Sequence, residues 1–404
     1  MKSINTTFWI TIFLWALHLN VQCQLTHAQQ PDEFGQELLQ LLPELPEPDP
    51  AKLTIDSYLS NTFNNHIELG LSVDPQNSSL AGQDNPQLEG LINTLGINLR
   101  GDLPIGDKLR LKLQYAPQFD NYTGSSGKLN EFDAFTDVTS TELSFRPYSR
   151  LPEIIAYHQL QRLTRELSVY DNTDRQIGLR FGRVLEYNLR IHRFDDESEG
   201  QEDFLLIGST NHKATTRFQF GLHKQILSKV KYAIERSGYQ TNLNNLILGE
   251  AEFEEGQRRL DWRHIGSIKL LQTAAERFVF QEEVNLFLNR SNVDYFNFAS
   301  AEAALSTFYR LDTGRWIRLR VSRVWVQFDS RQLEDEEGVP MENADNRSDT
   351  QLGVSAIINW AFTQNLSLNV DYQLIHNRTN ITRQVLDFLN YNHNIISLTL
   401  RGQY

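Results

Sequence analysis

The sequence predicts an all-β protein whose strands close into an antiparallel, up-and-down transmembrane β-barrel. Three observations lead to this prediction: an export signal on a chain with one cysteine, long strands with one apolar face, and connections that alternate between short and long. Single-chain bacterial barrels close with an even number of strands, so about 14 or 16 strands are expected. Residues 62–404 are assigned to this barrel, with long extracellular loops and short periplasmic turns.

The N-terminus has the parts of an export signal. Lys2 supplies positive charge, an apolar core runs from Phe8 to Leu17, and small residues precede a predicted cleavage site at Gln29. The apolar core is too short to span a bilayer, which takes about 20 residues. Cys23, the only cysteine, lies within the predicted signal peptide 1–28. An exported chain without cysteines suggests a bacterial envelope protein, since secreted eukaryotic proteins usually carry disulfides.

Residues 29–61 are predicted to precede the barrel as a periplasmic or linker segment. Residues 33–42 place apolar side chains near one helical face, which predicts a short amphipathic helix. Residues 43–50 are proline-rich and predict an extended linker. Three interpretations stay open: a segment inside the pore, a segment that contacts a periplasmic partner, and a disordered leader.

From residue 62 onward, apolar and polar residues alternate in long segments, as in strands with one apolar face. In residues 109–115 leucines alternate with Arg110 and Lys112, and Ile177 to Ile191 keeps one parity throughout. Strands of about 10 residues or more match a tilted membrane crossing. About 15 candidate strands are found, an odd number, so one strand is missing or surplus between residues 150 and 200.

The connections alternate in length. Short turns are predicted at residues 103–107, 311–314 and 363–365. Long polar stretches are predicted as loops at residues 75–88, 119–131, 194–203, 238–256, 330–349 and 378–392. A β-propeller would repeat at roughly 40–50 residues, and no such repeat is found.

The segment from Asn394 to Tyr404 is predicted to close the barrel. One face carries Ile396, Leu398, Leu400, Gly402 and Tyr404, whereas Ser397, Thr399 and Arg401 lie on the other. A final aromatic residue after alternating apolar residues indicates an interfacial aromatic girdle, and it resembles the assembly signal of outer-membrane barrels. The alternative is an edge strand of a soluble β-sandwich.

The chain resembles Gram-negative outer-membrane β-barrels, and within them the β-barrel porins found with exopolysaccharide and other envelope export systems. The resemblance spans about residues 60–404. It rests on residues 109–115 followed by 119–122, and on residues 372–378 followed by 387–394. It implies a porin-like or export-associated channel for small hydrophilic solutes or saccharides in the bacterial cell outer membrane.

The expected partners are outer-membrane lipids, lipopolysaccharide and the barrel-assembly machinery. The proline-rich segment departs from the family pattern and leaves a periplasmic partner open. A non-conducting surface barrel for adhesion or envelope assembly is the alternative function, favoured by the long acidic loops.

The polar parity of each strand is predicted to face the lumen. The pore-lining candidates are Arg110, Lys112, Arg180, Glu186, Arg190, Arg318 and Arg320, and further inward residues are Asp261, Arg263, Gln281, Glu283 and Asn285. Charges of both signs suit a wet pore, and the basic residues favour anions or sugars. Alternatively, the charges pair across strands and fill a narrow interior. Glu282 and Arg183 fall on the lipid-facing parity and break the pattern.

Other functions find little support in the sequence. A net charge of −13 argues against nucleic acid as a partner. The acidic stretches 195–199 and 334–337 lack the spacing of a calcium loop, so neither a metal nor a cofactor is expected. Phosphate-loop, dinucleotide, zinc-protease and nucleophile-elbow motifs are missing. His158, His192 and His264 are interpreted as girdle or lumen residues, so no enzyme is expected, and an outer-membrane hydrolase is the less favoured alternative.

Overall fold

In the computed structural model, sixteen antiparallel strands form one closed barrel. Each strand pairs with its sequence neighbours, and the last strand pairs with the first. The structure describes residues 51–64, 90–124, 133–148, 152–165, 171–194, 208–223, 225–242, 258–332, 346–380 and 391–403. The strands are β1 Lys52–Asn64, β2 Gly90–Ile105, β3 Leu109–Gly124, β4 Ala134–Phe145, β5 Ile154–Arg165, β6 Asn172–Phe181, β7 Leu185–Phe194, β8 Ser209–His223, β9 Ile226–Asn242, β10 Arg258–Ala275, β11 Phe278–Ser291, β12 Phe298–Asp312, β13 Arg315–Gln332, β14 Asn346–Ala361, β15 Leu366–Thr379 and β16 Tyr391–Gln403.

The predicted fold class is confirmed, with 16 rather than 14 strands. The uncertain strand lies where the sequence placed it, because Ile177 to Ile191 belongs to two strands, β6 and β7, and not to one. Gly182 turns the chain between them with φ of 55°, a conformation that glycine adopts without strain. The apolar parity continues through this turn because Phe181 and Leu185 are cross-strand partners and share a face.

Several strands are longer than the sequence predicts. The barrel begins at Lys52 rather than at residue 62, and β3, β9, β13, β14, β15 and β16 extend into the stretches predicted as long loops. In β14 and β15 these extensions carry polar residues on both faces, so the alternation stops while backbone pairing continues. At the start of β1, Ser57 interrupts the outward apolar series between Ile55 and Leu59.

The two ends of the barrel differ in their connections. The predicted turns at 103–107, 311–314 and 363–365 all join strands at one end, which also holds the start of β1 and the end of β16. Gly106 and Gly314 in these turns have φ of 66° and 87°. Longer connections join most strands at the other end. In outer-membrane barrels the short-turn end is periplasmic and the long-loop end is extracellular.

The two faces of the wall differ in polarity. Outward side chains such as Leu59, Leu319 and Leu398 are about half exposed, whereas the largest fully buried side chains are polar: Asn289, Asp56, Asp261 and Ser237. Soluble proteins show the opposite distribution, and a lipid-facing wall around a polar interior shows this one. The single closed sheet excludes the β-sandwich. Within the described ranges, no helix is both long and apolar enough to cross a membrane.

Candidate functional site

The inner face of the barrel is the candidate site. The structure places all seven pore-lining candidates on the inward parity: Arg110 and Lys112 on β3, Arg180 on β6, Glu186 and Arg190 on β7, and Arg318 and Arg320 on β13. Six of them form ion pairs with other inward side chains. The exception is Arg318, whose side chain has no polar partner among the described residues.

One set of inward ion pairs runs along β3 to β6. Glu142 on β4 accepts from Lys112 Nζ at 3.1 Å and from Arg180 Nη2 at 3.0 Å. The Arg180 guanidinium also lies over the Tyr157 ring, 4.7 Å from its centroid. Two of the predicted cations are therefore held on the wall by one carboxylate, with an aromatic ring as a further contact.

The same set continues through Tyr157 to β7 and β8. Tyr157 Oη donates to Glu186 Oε1 at 2.7 Å, and Arg217 Nη2 reaches Glu186 Oε2 at 2.5 Å. Tyr157 lies flat over Gly178 on β6, where an added Cβ would sit 2.2 Å from the ring. Glycine at this position therefore allows the ring to reach Glu186.

A second set surrounds Glu283 on β11, which is 8% exposed. Its oxygens meet Lys269 Nζ at 3.1 Å and Arg320 Nη1 at 3.0 Å. Arg320 Nη2 also reaches Glu302 Oε1 at 2.6 Å, and Asn285 donates to both carboxylates. Every charge in this set thus has an opposite partner.

A third set lies nearer the long-loop end on β8 to β10. Asp261 is fully buried and meets Arg259 at 2.6 Å and Arg263 at 3.7 Å. Arg263 also meets Glu235 at 2.9 Å, and Lys213 meets the same carboxylate at 3.1 Å. Asp261 and Arg263 are among the predicted inward residues, whereas Lys213 and Glu235 were not predicted.

Four inward cations form what we call the inner basic patch: Arg217, Lys229, Lys231 and Lys269. Arg217 and Lys231 are direct cross-strand partners, as are Lys229 and Lys269. Like charges opposite one another repel. Arg217 and Lys269 are balanced by carboxylates at its edges, but Lys231 has no ion pair among the described residues. The lysines of β9 were not among the predicted lumen residues, although Val230, Tyr232 and Ile234 alternate with them.

The inward contacts described here run along the wall. Each joins strands that are neighbours or next-nearest neighbours around the barrel, as with Glu142 on β4 and Arg180 on β6. These ion pairs therefore line the lumen and do not bridge it. Among the described residues the charges thus pair across strands, as the alternative prediction has it, and these pairs join strands no more than two apart in the wall.

The remaining predicted positions lie on the outward face or outside the described residues. Glu282 faces outward on β11 and accepts from Gln272 at 3.3 Å, and Arg183 lies in the β6–β7 turn. His158 and His264 also face outward, whereas His192 faces inward beside Asp174. The outward face of β16 carries Ile396, Leu398, Leu400 and Gly402. Tyr404, the acidic stretches 195–199 and 334–337, and residues 1–50 lie outside the described residues.

In the described part of the chain, no three His, Cys, Asp or Glu side chains are grouped as metal ligands. The three histidines singled out from the sequence are spread over both faces of the wall. His158 and His264 interact with Arg175 and Tyr232, respectively. Their contacts are those of wall residues.

No family model matches the sequence, and no curated protein does. Solved structures of outer-membrane proteins align with it at low identity. Acinetobacter baumannii OccAB3 aligns at 8% identity over 88% of this chain and 99% of that chain, with a TM-score of 0.48. The outer membrane protein OprD from Pseudomonas aeruginosa aligns at 10% identity over 87% and 94%, with a TM-score of 0.45. A bacterial polysaccharide outer membrane secretin aligns at 9% identity over 87% and 98%, with a TM-score of 0.43.

Proposed function

We propose that the protein is a channel through which small hydrophilic solutes cross a bacterial outer membrane. The observation that carries the proposal is a closed wall of 16 strands with a polar, charged inner face. A barrel of about eight strands is filled by its own side chains, whereas about 16 to 18 strands leave an aqueous channel. The inward ion pairs hold charged groups along this wall, and a charged inner face can be hydrated.

The inner face favours anionic solutes and sugars. Lys231 in the inner basic patch and Arg318 on β13 are cations without a carboxylate partner among the described residues, so their charge acts on the lumen. Beside Arg318, the inward rings of Trp316 and Phe308 stack at 5.2 Å between centroids. An aromatic surface next to a cation suits the apolar face and the oxygen atoms of a sugar. Acidic saccharides are therefore the proposed solute class, in keeping with an export-associated role.

Conductance of the purified protein in planar lipid bilayers tests the proposal. The parent is expected to give stepwise conductance and, in a KCl gradient, a reversal potential on the anion-selective side. Lys231→Gln with Arg318→Gln is expected to move that potential toward cation selectivity. The matched control is Arg175→Gln with Arg236→Gln, which removes the same charge from the outward face and should leave selectivity unchanged. A folded parent that never conducts would overturn the channel and favour a non-conducting surface barrel.

A further inference from the structure

The outward face of six consecutive strands carries basic side chains in the half nearest the long connections. These are Arg162 on β5, Arg175 on β6, Arg193 on β7, His212 on β8, Arg236 on β9 and His264 on β10. All except the half-buried His264 are exposed. We call this set the outer basic arc. The next outward residues toward the short-turn end are apolar or glycine, so the arc borders the lipid-facing band.

The arc lacks compensating carboxylates. On β5 to β10, no outward residue with a described side chain is an aspartate or glutamate. Asp137 on β4 lies opposite Arg162 and can balance that one cation. Arg175, Arg193 and Arg236 have no ion pair among the described residues. These arginines can therefore pair with anionic groups from outside the described part of the protein.

Register and side-chain contacts hold the arc in place. His212 and Arg236 are direct cross-strand partners, and Trp262 is the partner of Arg236 on the next strand. Tyr187 Oη lies 2.8 Å from His212 Nδ1, and Tyr232 Oη lies 2.8 Å from His264 Nδ1. Each tyrosine orients its histidine from the side of the apolar band. Basic groups on neighbouring strands repel unless an anion lies between them.

We infer that the outer basic arc binds the phosphate groups of outer-leaflet lipid, as found on the phosphorylated glycolipid of lipopolysaccharide. Arginine extends its charged head from an apolar stem toward the interface and pairs with phosphate in a bidentate manner. Trp262 suits the same interfacial depth. The acyl chains then lie on the apolar residues of β5 to β10. This inference does not rest on conductance, because the arc is on the opposite face of the wall from the lumen.

The test is native mass spectrometry of the full barrel in detergent, titrated with bis-phosphorylated lipid A or with dephosphorylated lipid A. The parent is expected to retain the phosphorylated form far more tightly. Arg175→Gln, Arg193→Gln and Arg236→Gln should each weaken retention by about five-fold, and together by roughly a hundred-fold. The charge control is Lys231→Gln with Arg318→Gln, which should retain lipid like the parent.

Equal binding of both lipid forms by the parent would overturn the inference, whether or not any variant folds. So would a folded triple variant that retains phosphorylated lipid A like the parent, or a lumen control that loses it equally. Heat-modifiable migration reports folding of each variant. If the parent conducts but does not retain phosphorylated lipid A preferentially, the channel proposal stands and only the lipid site is excluded.

Discussion

Two groups of inward charges, both on the β8 to β13 side of the barrel, differ in how they are satisfied. Around Glu283, Lys269 and Arg320 meet the carboxylate at about 3 Å, and Arg320 also holds Glu302. Lys231 and Arg318 share the inward parity but have no such partner among the described residues. The first group connects strands β10 to β13, whereas the second group presents charge to the lumen. Inward parity therefore identifies a lumen residue but does not tell whether its charge stabilises the wall or meets a solute.

The largest expected effect comes from moving a charge to the other face of β13. Leu319 lies between Arg318 and Arg320 in sequence, faces outward and is 52% exposed. Leu319→Arg places a cation in the lipid-facing band, which costs about 2–4 kcal/mol near the middle of the membrane. The measurement is the free energy of unfolding in urea, in lipid vesicles. Arg318→Gln is the control and should change that free energy by less than about 0.5 kcal/mol. The assignment of the two faces would be wrong if Leu319→Arg unfolded with the parental free energy while Arg318→Gln lost stability.

A smaller loss is expected when the satisfied group is broken. Arg320→Gln removes the cation that separates Glu283 from Glu302. The loss is about 1.5–3 kcal/mol, the range for hydrogen bonds to charged groups. Glu302→Gln in the same chain should recover part of it, because one of the two facing charges is then gone. A double-mutant cycle measures this coupling. Additive effects would show that Arg320 and Glu302 act independently.

The smallest of the three stability effects concerns the ring that links two ion pairs. Gly178→Ala puts a Cβ into the Tyr157 ring, and the ring must leave its place between Arg180 and Glu186. Overpacking of this kind costs about 1–3 kcal/mol. Gly101→Ala is the control, since a Cβ there has nothing within 4 Å. The loss should disappear in a Tyr157→Ala background, and its persistence there would assign it to the backbone of β6 instead of the ring.

Sequence reasoning recovers the architecture because lipid imposes it on every second residue. The alternation at Leu109 to Tyr115 and at Ile396 to Leu400 predicts both the strand and the face that each residue occupies. The same reasoning fails where lipid no longer acts. At Tyr122 and Asn242 the strands continue past the apolar band, and nothing in the sequence separates a paired polar segment from a loop.

The sequence predicts which face of the wall each candidate residue occupies, but not which side chain it pairs with. The alternation of apolar and polar residues places all seven pore-lining candidates on the inner face, and this alternation depends only on local sequence. That Arg180 shares Glu142 with Lys112 depends on which strands become next-nearest neighbours and on the tilt of the barrel. Lys231 was not among the predicted lumen residues, although Val230 and Tyr232 on either side of it give the same alternation.

The barrel closes where β1 meets β16, and there Asp56, 1% exposed, meets Arg401 at 3.3 Å across a sequence separation of 345 residues. Two hydroxyl pairs, Ser60 with Thr399 and Thr62 with Ser397, line the same seam. A chain that lacks its last strand would leave this carboxylate without Arg401 and the edge of β1 unpaired. Contacts between residues so far apart form slowly. Folding of the barrel therefore depends on β16: without it, the backbone N–H and C=O groups along β1 stay unpaired and can pair with other chains.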